Sequence, residues 1–304
     1  MDDAASAHRC MIETAEFIPA LEKALSGPRG AFRARRIAPV AGGCIHRCFV
    51  IDGDGRRVFA KTNQRSCLDA FAAEADGLAA LSAAGVRMPA PLAWGEAGET
   101  AYLALEYLEL RPSGDYAALG RMLGALHSVH GEFFGWKRDN YIGLTPQHNR
   151  RSDSWVGFWR EARLEPQLQL AESNKLGRRL LDAGRRLCSA LPQLLAGHEP
   201  AASLLHGDLW SGNAGFLTGG APALFDPAVY YGDHEADIAM TELFGGFPPA
   251  FYSAYREVLP LEPEYAVRKN LYNLYHVLNH ANIFGGGYVA QAERMTERLL
   301  AEVR

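Results

Sequence analysis

The sequence predicts an α+β chain of two lobes: a small β-sheet lobe with one inserted helix over residues 1–108, and a larger, mostly helical lobe over residues 109–304. Three observations predict it. Apolar runs of strand length crowd residues 37–107 between glycine-rich turns. The character then changes at Arg111-Pro112-Ser113-Gly114, and beyond it apolar residues recur at helical spacing over long stretches. With 304 residues the chain can bury two cores without disulfides or structural metals.

Taken in order, Ile12–Leu25 has helical apolar spacing and ends near Gly27-Pro28. Ile37–Val40, Cys48–Ile51 and Val58–Lys61 read as strands. Asp52-Gly53-Asp54-Gly55 between the last two is a strong hairpin signal. Cys67–Ala84 is a helix stopped by Gly85, an extended segment begins at Pro89-Ala90-Pro91, and Thr100–Tyr107 is apolar enough for a buried strand. In the second lobe Tyr116–His130, Trp155–Glu172 and Leu176–Leu195 read as helices. Ser203–Leu205, Gly215–Leu217 and Ala223–Phe225 read as short strands; from Glu235 the chain returns to helix, broken at Gly245-Gly246, Pro248-Pro249 and Gly285-Gly286-Gly287. No internal repeat is present.

Composition narrows the class. The chain is 48% hydrophobic and 22% charged, with 31 Lys+Arg against 35 Asp+Glu, a net charge of −4. That balance argues against nucleic-acid or membrane partners. Five widely spaced cysteines without a C-x-x-C pair argue against a secreted disulfide framework or a zinc knuckle. The acidic first thirty residues lack the apolar core of a signal peptide, and no stretch has the length of a membrane helix, so a cytoplasmic location is expected.

The strongest chemical signal is His206-Gly207-Asp208-Leu209-Trp210-Ser211-Gly212-Asn213, set between two short strands, with Phe225-Asp226-Pro227 after the second. Phosphoryl transfer from ATP needs a carboxylate near the acceptor hydroxyl and oxygen ligands for Mg²⁺. Asp208 with Asn213 five positions on supplies both from one loop, and Asp226 adds a second metal ligand, as in the catalytic and metal loops of kinases. His206 reads as a residue that holds the loop rather than as the base. In the first lobe, Lys61 ends a strand and Glu74 follows thirteen residues later on a helix, a cation for nucleotide phosphates with an anion to fix it. Gly42-Gly43 between the first two strands lets backbone N–H groups approach phosphates, although an ordinary hairpin turn needs the same residues. Backbone groups of Glu106 and Leu108, at the end of the fifth strand, are placed by chain order to pair with adenine.

The chain resembles the fructosamine-3-kinase, or ketosamine kinase, family of the protein-kinase-like superfold. The resemblance runs through Gly42-Gly43 and Ile45, Glu74–Leu78, Asp139-Asn140-Tyr141-Ile142-Gly143-Leu144-Thr145-Pro146-Gln147 and His206–Asn213. It continues through Phe225–Ala228, Tyr231-Gly232-Asp233 with Glu235 and Asp237, and Leu271–Tyr275 with Leu278-Asn279. It implies a bilobal protein-kinase-like fold and ATP- and Mg²⁺-dependent phosphorylation of the 3-hydroxyl of ketosamines, as small molecules or on glycated proteins. The labile 3-phosphate then eliminates and frees the amine. It also implies Asp208 as base, Asn213 and Asp226 as Mg²⁺ ligands, Lys61 and Glu74 at the phosphates, Trp210 lining the sugar site, and Asp237 as a brace for the catalytic loop.

Two other classes share these residues: another small-molecule kinase of the aminoglycoside, choline or homoserine type, and a silent nucleotide-binding protein, from which at least one of them would be expected to be missing. Cys44 lies in the phosphate loop, where many relatives carry a cysteine; the expectation is a monomer, or a redox-linked dimer through Cys44. His276 and His280 fall at i, i+4 without the Glu or third ligand of a zinc helix, and read as packing residues.

Overall fold

The computed structural model describes residues 17–27, 30–40 and 45–303. The chain divides into two compact units. One comprises the described residues up to Ala83 together with Arg87–Leu110; the other comprises Ala84–Val86 and the chain from Arg111 onward.

The first unit is a five-stranded antiparallel sheet of β1 (Arg36–Val40), β2 (Arg47–Gly53), β3 (Arg56–Gln64), β4 (Pro91–Ala97) and β5 (Thr100–Glu106), ordered β1-β2-β3-β5-β4. The expected hairpin joins β2 to β3, with Asp54 (φ 45°) and Gly55 (φ 77°) both left-handed, the backbone that a tight two-residue turn demands. Period-two alternation sends Phe49, Ile51, Val58, Ala60, Tyr102 and Ala104 into one core with Phe17 and Leu21 of the helical residues 17–25 (α1). The opposite parity puts Lys61 on the other face. Helix α2 (Leu68–Ala83), preceded by a 3-10 turn at Arg65–Cys67, packs on β4 and β5. The part of the expected Ile12–Leu25 helix before residue 17 lies outside the described residues, as do Gly42, Gly43 and Cys44.

The second unit is built on helices α3 (Tyr116–His127), α4 (Trp155–Trp159), α5 (Glu165–Ser173), α6 (Arg178–Leu194), α7 (Glu235–Leu243), α8 (Pro249–Val258), α9 (Tyr265–Phe284) and α10 (Gly287–Glu302). A π turn at Arg160–Leu164 joins α4 to α5, so the helix expected over Trp155–Glu172 carries a wide turn in its middle. Three antiparallel pairs of three-residue strands accompany the helices: β6 (Asn140–Ile142) with β7 (Thr145–Gln147), β8 (Ser203–Leu205) with β11 (Tyr230–Gly232), and β9 (Ala214–Phe216) with β10 (Pro222–Leu224). The core joins Trp155, Phe158 and Trp159 to Tyr272 and Tyr275 of α9. No helix among the described residues is long and apolar enough to cross a membrane.

Two features fix the helices that matter for the site. Helix α3 lies close against α8 because Gly120 and Gly124 leave room; a Cβ at Gly120 would sit 2.2 Å from the Phe251 carbonyl oxygen. The start of α7 is pinned by buried charge. His198 Nε2 meets Asp233 Oδ2 at 2.6 Å and Nδ1 meets Glu262 at 3.0 Å. The Tyr272 hydroxyl donates to Asp233 at 2.5 Å, and Arg268 grips Glu235 through two bonds of 2.6 and 2.8 Å. Ligand-type atoms of His198, Asp233 and Glu235 lie within 4.8 Å of one another. These groups are already satisfied as an ion-pair network, which explains the cluster without a metal.

Gly120→Ala is expected to destabilise the protein by about 1–3 kcal/mol, the usual cost of overpacking, read as a lowered urea midpoint at constant slope. A second expectation concerns pH. Burial disfavours a charged His198, but the Asp233 and Glu262 carboxylates outweigh it and raise its pKa above the ordinary value. The stabilisation is therefore complete below the ordinary histidine pKa of about 6.5 and is lost as pH rises through the higher folded value. In urea melts, the stability gap between wild type and His198→Gln should narrow with rising pH above that point; a constant gap would contradict it.

Candidate active site

The chemistry-bearing loop lies between paired strands. His206 follows β8, Asp208 stands at the loop's tip, and a 3-10 turn at Ser211–Asn213 leads into β9. Asp226 follows β10 in the left-handed region (φ 56°), which a short polar side chain tolerates better than most. The Phe225 N–H donates to the Asn213 carbonyl at 3.1 Å and the Ala228 N–H to the His206 carbonyl at 2.8 Å, tying the two segments together. Gly207 is required here. Its φ is +84° and a Cβ would lie 2.0 Å from the Ala228 carbonyl oxygen.

Asp237, in the first turn of α7, braces the loop from beneath. Its carboxylate accepts the His206 N–H at 2.7 Å and the Gly207 N–H at 2.8 Å, and His127 Nε2 lies 3.1 Å away. Burial alone would raise its pKa, yet His127 and the loop donors hold it below the carboxylate norm. His206 is fully buried and neutral: its Nδ1 accepts the Asp208 N–H at 3.3 Å and its Nε2 donates to the Phe225 carbonyl at 3.0 Å, which fixes one tautomer. Burial also pushes its pKa down. This histidine holds the loop.

Asp208 is half-buried, and its pKa is pushed up to about 7 by burial and by the negative charges of Asp226 and Asp237. Asn213 Nδ2 donates to the Asp208 carbonyl at 2.8 Å and to its carboxylate at 3.3 Å, leaving the amide oxygen as a hard donor. Two neighbouring carboxylates and an amide oxygen are hard oxygen donors of the kind that suit a divalent cation. The Trp210 indole lies against Gly212, where a Cβ would come within 2.4 Å of it, and edge-on to Phe244 at 5.9 Å between centroids. His280, whose Nδ1 donates to the His276 carbonyl at 2.8 Å, continues this aromatic row at 5.1 Å from Phe244.

In the first unit, Lys61 Nζ pairs with Glu74 Oε1 at 2.7 Å, with the two side chains only 5% and 13% exposed. Asn63 Nδ2 holds the end of the glycine loop at the Ile45 carbonyl, at 3.1 Å, and at His46, at 3.0 Å. The Glu106 N–H is engaged on the Ala90 carbonyl at 2.8 Å and its carboxylate on Arg87. A cleft of about 460 Å³ over Arg160, Leu168, Arg185 and Cys188 contains none of the residues singled out by sequence. Sequence reasoning missed His127; its signal is a polar residue ending an otherwise apolar helical stripe.

Comparison with known proteins agrees with this arrangement. A family model described as fructosamine kinase matches residues 20–302. A probable ketoamine kinase from Synechocystis sp. is 46% identical over 274 residues, 88% of this chain and 92% of the relative. The chloroplastic protein-ribulosamine 3-kinase of rice, Oryza sativa subsp. japonica, is 38% identical over 261 residues, 84% of this chain and 76% of the relative. Among solved structures, that of a candidate fructosamine-3-kinase from Haemophilus somnus 129PT superposes with a TM-score of 0.85 at 29% identity, covering 92% of this chain and 96% of the other. Choline kinase LicA from Streptococcus pneumoniae, at 14% identity and a TM-score of 0.66 over 97% and 99% of the two chains, shares the fold alone. The fold is thus kinase-like, with an antiparallel-sheet N-lobe and a helical C-lobe, and the chain belongs to the fructosamine kinase family.

Proposed function

We propose that this chain is an ATP- and Mg²⁺-dependent kinase that phosphorylates the 3-hydroxyl of a ketosamine. The observation that carries the reading is the Asp208–Asn213–Asp226 constellation in a chain that the fructosamine kinase model spans from residue 20 to 302. Asp208 accepts the hydroxyl proton as the sugar oxygen forms its bond to the γ-phosphorus and the bond to the ADP oxygen breaks. A carboxylate near neutrality is matched to that transfer. Asn213 and Asp226 would hold Mg²⁺, which would supply positive charge at the phosphate oxygens. Lys61, fixed by Glu74, binds phosphate, a role the sequence also gives to Gly42-Gly43, which lie outside the described residues; Glu106 and Leu108 pair with adenine through their backbone. Trp210 offers its ring to the sugar.

The product 3-phosphate eliminates and returns the amine, so the reaction removes glycation from small amines or from protein lysines. Action in the cytoplasm is part of the same reading and rests on the cysteine usage. The names of the relatives, ketoamine kinase and protein-ribulosamine 3-kinase, support the acceptor class.

The test is Mg²⁺-dependent ATP consumption on lysine carrying fructose, ribulose or erythrulose adducts, with kanamycin, choline and homoserine as controls. Turnover is expected on a ketosamine, and Asp208→Asn should lower it by ~10²–10⁴-fold while nucleotide still binds. Turnover on a control alone would overturn the acceptor class; undiminished turnover in Asp208→Asn would overturn the base. Lys61→Ala should raise the apparent KM for ATP and lower kcat together, and an unchanged KM would remove Lys61 from the phosphate site.

A further inference from the structure

The segment Asp139–Asn149 is used by none of the roles above, although it buries three carboxamides: Gln147 and Asn149 are each 1% exposed and Asn140 4%. Buried amides are costly unless every group is bonded, and these are bonded in one directed network. Gln147 Nε2 donates to the Ala228 carbonyl at 3.0 Å and to Asn140 Oδ1 at 2.9 Å, while its Oε1 accepts the Tyr275 hydroxyl at 2.8 Å. Asn140 Nδ2 donates to the Val229 carbonyl at 2.7 Å, and its oxygen takes a second bond from Asn149 Nδ2 at 2.8 Å. Asn149 Oδ1 is held by Arg163 Nη2 at 2.9 Å. Backbone carbonyls only accept, so the orientation of both donating amides is fixed.

The target of this network is where the two carboxylate-bearing segments meet. Ala228 lies two residues after Asp226; its N–H donates to the His206 carbonyl at 2.8 Å, and its oxygen stands against Gly207, next to Asp208. Moving the Ala228 peptide therefore moves the Asp226 segment against the Asp208 segment.

We propose that Gln147, assisted by Asn140, is a positioning residue that sets the separation of the Asp208 and Asp226 loops by holding the Ala228 and Val229 carbonyls. The inference rests on reading those two carboxylates as the reacting pair. Gln147 touches neither of them, so its effect falls on turnover rather than on affinity.

Two variants test it. Gln147→Glu keeps the shape but presents an acceptor to Ala228; Tyr275→Phe removes only the hydroxyl that orients the amide. Gln147→Glu should lower kcat by about 10–100-fold, in line with the cost of small misplacements, and leave KM for ATP and for the ketosamine unchanged. Tyr275→Phe should lower kcat less, and adding it to Gln147→Glu should cost less than the product of the two single losses, because its hydroxyl orients Gln147 as well as meeting Gln167. Hydrogen exchange at Gly207 and Ala228 should quicken in Gln147→Glu while α6 and α10 keep wild-type protection.

Unchanged kcat, a loss confined to KM, multiplicative losses in the double variant, or faster exchange throughout the unit would each overturn the proposal. Should Gln147→Glu fail to fold, Tyr275→Phe decides alone: lowered kcat at constant KM supports it, wild-type kcat ends it. Asp208→Asn run alongside separates the two readings. An inactive Asp208→Asn beside a fully active Gln147→Glu removes the positioning role only, whereas an active Asp208→Asn removes both.

Discussion

Two consecutive backbone N–H groups at His206 and Gly207 have no strand to pair with, because the chain leaves β8 there to form the loop that presents Asp208. They are satisfied by one buried carboxylate, Asp237, contributed from 30 residues further along. Neither side can give this up: unpaired buried N–H groups and an unpaired buried carboxylate are both costly. Much of the second unit follows from keeping Asp237 in place. Helix α7 must begin at a fixed point, which the His198–Asp233–Tyr272 and Glu235–Arg268 pairs ensure. Helix α3 must bring His127 to the same carboxylate, which requires the close approach to α8 that Gly120 allows.

The first unit was legible almost strand by strand, because half-buried antiparallel strands alternate in period two and the Asp54-Gly55 turn names its own geometry. The Lys61–Glu74 spacing was equally readable, since a strand followed by a helix on the same face brings those positions together. Strands β6, β7 and β11 were not, because Asn140-Tyr141-Ile142, Thr145-Pro146-Gln147 and Tyr230-Tyr231-Gly232 lack the short apolar runs that marked the equally short β8 and β10. The break between α8 and α9, across Leu259–Glu264, was also passed over, although Pro260 and Pro263 lie in it. Of the site, the loop residues announce themselves within one short motif. The carboxamide network does not: Gln147 and Asn140 find their carbonyls 81 and 89 residues away, a distance no local pattern encodes.

The second unit hides its charges in two different ways. Asp233, Glu235 and Asp237 are matched by opposite charges or by directed donors. Arg163, fully buried, is matched by no carboxylate among the described residues. Its guanidinium lies 4.1 Å from the Tyr230 ring centre and 4.6 Å from that of Phe158, and donates to the His148 and Ala162 carbonyls and to Asn149. Rings, carbonyls and one carboxamide stand in for the counter-ion.

The π turn at Arg160–Leu164 has a consequence for how this protein can vary. Ala162, Arg163 and Leu164 are all buried in succession, which a regular helix would spread over about 200° of its circumference. The extra residue in the wide turn lets Arg163 reach Asn149 while the flanking turns keep their own apolar faces inward. Length is therefore fixed here as firmly as identity. A one-residue deletion between Trp159 and Glu165 would turn the helix beyond it by about 100°, carrying the apolar residues of α5 off the core.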